Sequence, residues 1–100
     1  MTRISCTHSG DRYAIRAEGH ATGSQEACSG VSAVTNALML YAVNAPEHVR
    51  AIHAREEGPG VFHLDFEGDE AAGAAWKLTV MGLLSIAKAC PEQVAVEGLQ

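Results

Sequence analysis

A chain of 100 residues with 47% apolar and 19% charged side chains supports one modest core; a second domain and a disordered chain are both excluded. The formal charge of −5 with neutral histidines argues against a nucleic-acid-binding surface. The opening MTRISCTHSG lacks the apolar run of a secretory signal, and no stretch is long and apolar enough to cross a bilayer, so the expectation is a cytoplasmic protein with no membrane partner.

The first segments alternate. RISCT sets Ile4 and Cys6 on one face, and RYAIRAEG does the same for Tyr13, Ile15 and Ala17. Ser9 and Gly10 between them suit a two-residue hairpin turn, which predicts Cys6 opposite Tyr13 and Ile4 opposite Ile15. From about Gln25 the period changes. Ala27, Val31, Val34, Leu38 and Ala42 form the stripe of an amphipathic helix, with Thr22 or Ser24 as its cap and Asn44 and Pro46 at its end.

VRAIHAR and VFHLDFEG then flank EEGPG, a second hairpin with a slightly longer loop and Phe62, Leu64 and Phe66 inward. His53 and His63 are expected across it from each other, as a solvated polar pair. Asp69 caps a second helix, with Glu70 in its first turn, where negative charge suits the helix dipole. Ala72, Trp76, Thr79, Leu83, Ile86 and Cys90 follow one face until Pro91, and Trp76 is the expected core anchor. Leu78 and Met81 lie off that stripe. The tail QVAVEG alternates briefly, as a short strand or loop. The fold class is thus a single α+β domain spanning residues 1–100. Its order is ββαββα, with an antiparallel-rich sheet and both helices packed on one face.

Chemistry concentrates where the alternation ends. Cys28 lies near a helix N-terminus, where unpaired backbone N–H groups and the positive dipole end favour a thiolate and an adjacent oxyanion. His20, on the strand leading into that helix, is within reach as general base and then general acid, since the seven residues from Ala21 to Ala27 close the distance easily. Taken alone, this spacing is not specific. Cys28 as a small packing residue and His20 as a polar strand end explain it better, because free cysteine is commonly buried. Ser32, one turn after Cys28, faces the same side. Cys6, His8, His20 and Cys28 are zinc-ligand types, but the chain lacks the close pairs that mark such a site, so no metal is expected. The three cysteines fit reduced thiols better than a disulfide framework.

The segment EGHATGSQEACSGVSAV resembles the signature of the ribosomal-processing cysteine protease family, Prp. Gly19, His20 and Ala21 match its Gly-His-Ala at the end of the second strand. Gly23 matches a glycine before the cysteine, and Cys28, Val31 and Ser32 match its Cys-x-x-Val-Ser at the helix start. The similarity extends over essentially the whole chain and includes IAKACPEQVAVEG near the C-terminal end. It implies a cysteine endopeptidase without a cofactor, with Cys28 as nucleophile and His20 as base. Gly19, Ala21, Gly23 and Ser32 are then supporting or substrate-binding residues. It also implies a homodimer, to which Leu78 and Met81 would contribute, and a protein substrate. That substrate is a large-subunit ribosomal protein whose N-terminal extension is cut after an aromatic residue, or a related phage protein. Two departures stand out: the segment between histidine and cysteine is shorter than in the family, and Gln25, beside Glu26, replaces a family aspartate. The shorter segment predicts a preformed site with His20 near Cys28 before substrate arrives. The departures also favour a rival reading, a catalytically inactive peptide-binding module on the same fold.

Overall fold

A computed structural model describes residues 1–20 and 23–98. Its elements run β1 (Thr2–Ser9), β2 (Arg12–Glu18), α1 (Gln25–Asn44), β3 (Val49–Gly58), β4 (Val61–Gly68), α2 (Glu70–Ala89) and β5 (Val94–Glu97). The five strands form one sheet in the order β3-β4-β2-β1-β5. All neighbours are antiparallel except β5, which pairs parallel to β1. The tail is therefore a strand, and the expected ββαββα order gains a short parallel edge.

Alternation makes the sheet one-sided. Ile4, Cys6, Ile15, Leu64 and Phe66 are wholly buried on the helix side. The opposite face carries ion pairs such as Arg12–Asp65, His53–Glu67 and Arg50 with Asp11 and Glu67. Both helices close the same core. They run antiparallel, since Gly30 of α1 meets Ile86 of α2 and Gly82 of α2 meets Val34 of α1. Trp76 anchors that layer to the sheet, donating its indole N–H to the Ala14 carbonyl at 3.1 Å. Leu78 and Met81 point outward, 73% and 67% exposed.

Three local expectations are corrected. In the first hairpin Ile4 pairs with Ala17 and Cys6 with Ile15, because the turn residues are Gly10 and Asp11 rather than Ser9 and Gly10. Gly10 takes the positive φ (62°) at the first turn position, which the right-handed twist of a two-residue hairpin favours. The register moves by two residues, so the inward face is unchanged. The second hairpin turns on Pro59 and Gly60 alone, with Glu56, Glu57 and Gly58 drawn into β3. Because that turn takes only two residues, Glu56, not His53, lies opposite His63; irregularities between Val49 and Ala51 and between Ile52 and Ala54 shift the register only farther along β3. His53 instead meets Glu67 at 2.9 Å.

Candidate active site

Ser24 caps α1. Its hydroxyl accepts from the Ala27 N–H at 3.1 Å, and its carbonyl accepts from the Cys28 N–H at 3.2 Å. Thr22, the alternative cap, and Ala21 lie outside the described residues. Cys28 thus starts the second turn, partly buried, with its own N–H used within the helix. Of the first-turn donors, those of Gln25 and Glu26 have no partner among the described residues, so an oxyanion there cannot rely on Cys28's own amide.

At the end of β2 the chain turns at Gly19 (φ 94°), whose N–H donates to the Gly60 carbonyl at 2.9 Å. A side chain at position 19 would strike the Met1 carbonyl. This turn carries His20 over the second hairpin. Gly60 (φ 71°) leaves open the space that the His20 ring occupies: a Cβ there would fall 2.5 Å from Nε2. Gly23 is fixed at the far side of the segment, where its N–H donates to the Gln93 side chain at 2.9 Å.

The end of β2, α1 and the second hairpin line a small, partly open cavity of about 80 Å³. His20 forms part of its wall from the β2 end. Cys28, Ser32 and Thr35 contribute from α1, and Gly58, Gly60 and Phe62 from the second hairpin. The cavity therefore joins three of the residues singled out in the sequence, His20, Cys28 and Ser32, with Gly19 at its rim. It does not join His20 to Cys28 by a hydrogen bond among the described residues. The short segment predicted a closer pair, but the backbone bond from Gly19 to Gly60 aims the ring at the hairpin turn. Gly23 lies apart, against Gln93.

The zinc-ligand types are not brought together. Cys6 is wholly buried, and burial pushes its thiol up to about 11. His8 stacks on Tyr13 with ring centroids 4.5 Å apart, its Nε2–H donating to the Gly10 carbonyl at 2.6 Å. Among the described residues no three His, Cys, Asp or Glu side chains are grouped as a metal site. The second hairpin's share of the cavity was not legible in the sequence. The one available signal was the Gly-Pro-Gly run at residues 58–60, where a backbone without Cβ permits close approach.

The same architecture is found in several crystal structures. The Staphylococcus aureus ribosomal processing protease Prp, in complex with a covalently linked product peptide, matches at a TM-score of 0.74 and 20% identity, with all of both chains covered. The same protease with a substrate peptide matches at 0.64 and 16%, again over both full chains. SMU.848 from Streptococcus mutans matches at 0.63 and 20%, covering 100% of this chain and 96% of that one. At these identities the likeness establishes the fold. No protein-family profile and no curated protein sequence matches the chain.

Proposed function

We propose that this chain is a cysteine endopeptidase that removes a short N-terminal extension from a large-subunit ribosomal protein or a related phage protein. The observation that carries the reading is the meeting of His20, Cys28 and Ser32 on one cavity in a Prp-like fold. Support from the neighbours is that Prp itself was crystallised with substrate and product peptides.

In this reading the Cys28 sulfur attacks the scissile carbonyl as His20 takes the thiol proton. The tetrahedral oxyanion collapses, the C–N bond breaks, and His20 returns the proton to the departing amine. Water, deprotonated by His20, then hydrolyses the thioester and regenerates the thiol. Substrate binding brings His20 off the hairpin turn and onto Cys28, since catalytic hydrogen bonds often tighten only in the substrate complex. Ser32 orients the histidine or the substrate from one turn along α1; Gly19 and Gly23 fix the two ends of the histidine-bearing segment, with Ala21 between them. The chemistry needs no metal or cofactor, and the chain acts in the cytoplasm.

The test is cleavage of peptides spanning the N-terminal extension junction of such a protein, followed by mass spectrometry. Cys28→Ala and His20→Ala should each lower kcat/KM by at least about 10³-fold with the fold intact. Cleavage that survives Cys28→Ala would refute the nucleophile. The absence of a His20–Cys28 hydrogen bond favours a second reading, a peptide-binding module without catalysis. That reading expects peptide binding with no product from the parent chain.

Leu78 and Met81, projecting from α2 away from the core, are assigned to a homodimer face. Sedimentation at micromolar concentration should give twice the chain mass, and Leu78→Glu should return the monomer.

A further inference from the structure

We infer that the peptide runs from the Cys28 cavity along a groove between α1 and the free edge of β3, where Glu57 and Arg55 select opposite charges on it. The inference rests on the peptidase or peptide-binding reading above and assigns the substrate positions that reading leaves open.

A second cavity, of about 490 Å³, lies beside the first. Its floor and α1 wall are Met39, Leu40, Val43 and Asn36, and its β3 wall is Arg55 and Glu57. Ser32 and Gly58 line the first cavity, so the two sites meet on both walls, one helical turn along α1 and one residue along β3. From Cys28 to Val43 the helix rises about 22 Å, the length of roughly six or seven extended residues. The volume lies within the range of pockets that hold specific ligand groups.

The strand facing this groove is an edge with free backbone donors and acceptors. Its two register irregularities fall before Ala54, whereas Arg55 to Gly58 pair regularly with β4. The regular stretch leads into the cavity, and an extended chain can add to it there. Arg55 stands opposite Leu64 and Glu57 opposite Phe62, both buried, so the two charges face the helix side of the sheet. Neither has an ion-pair partner among the described residues, while Arg12, Arg16 and Arg50 all have one. Inward charges can deter pairing between copies. An apolar floor between them and α1 is unnecessary for deterrence and suits a bound side chain. The occupant fitted by this pattern is an extended peptide. It places a basic residue at Glu57, an acidic residue two positions farther from the cut at Arg55, and an apolar side chain over Met39 and Val43.

A positional-scanning library of blocked decapeptides, read for cleavage by the parent chain and for binding to Cys28→Ser, tests this. The expected result is a basic and an acidic preference two positions apart. Arg55→Glu should invert the acidic preference and Glu57→Lys the basic one, each by at least about fivefold, with circular dichroism unchanged. Inverted preferences in binding without cleavage would support the groove and remove the peptidase. Cleavage or binding with preferences unmoved by either reversal would overturn the groove and leave the site reading intact. No cleavage and no binding of any library member would overturn both.

Discussion

The two ββα halves share a shape and differ at the joint between strand and helix. From β4 to α2 the chain passes directly, and the joint is tied on every side. Gly68 N–H donates to the Asp11 carbonyl and Asp69 N–H to the His48 carbonyl, both at 3.0 Å. The Asp69 carboxylate accepts from Ala72 N–H at 3.1 Å and from His48 Nδ1–H at 2.8 Å. Between β2 and α1 six residues intervene, the last a neutral cap, Ser24, with Gly19 N–H bonded to Gly60 and Gly23 N–H to Gln93. Because the helices are antiparallel, the tied joint and the open one sit at opposite ends of the helical layer. One end holds the fold; the other leaves a cavity with a histidine and a thiol on its walls.

The cysteines sharpen this comparison most. Cys6, in the shared core, has its thiol pushed up to about 11 by burial, so only about 0.1% of it is thiolate at pH 8. Cys28 lines the open joint. Under limiting iodoacetamide Cys28 should label faster than Cys6 by on the order of 10²-fold. Peptide mapping over time gives the ratio. Equal labelling would mean the core opens as readily as the site, and the contrast between the ends would fail.

Periodicity made most of this legible. The stripes of Ala27, Val31, Leu38 and Ala42 and of Ala72, Trp76, Thr79 and Leu83 are buried as expected, and Asp69 and Ser24 cap as their side chains suggest. What periodicity cannot supply is register. Gly10 takes the first turn position because the twist of the pair demands it, and the second hairpin turns on Pro59 and Gly60 alone, so His53 and His63 miss each other. Long-range convergence was equally hidden. His20 and Cys28 stood out through their motif, but Gly58, Gly60 and Phe62 reach the cavity only because β3 and β4 pair beside β2. Nothing in the sequence tells which way Arg55 and Glu57 face; their partners Leu64 and Phe62 fix it.

The smallest effect expected is at the tied joint, and its sign depends on pH. The Asp69 side chain, hydrogen-bonded to His48, holds the imidazole above its ordinary value of 6.5, with Asp69 and Glu47 adding attraction. The same hydrogen bond from His48, with that from the Ala72 amide, holds the Asp69 carboxyl below 3.8. A raised histidine stabilises the folded state fully below 6.5 and loses that contribution as pH rises through its folded value. A lowered carboxylate contributes above 3.8 and loses its contribution as pH falls through its folded value. Both partners are therefore charged, and the pair strongest, between those limits. Both are well exposed, so screening keeps the effect small. His48→Ala should lower Tm by a few degrees at most near pH 5.5 and by less near pH 8.5. Peptide cleavage should be unchanged at either pH, because the substitution lies at the far end from Cys28. Equal losses at the two pH values would leave the Asp69 cap alone holding the joint. A loss of cleavage would show that the two ends are coupled, and that the division between a fastened joint and an open one is not how the fold works.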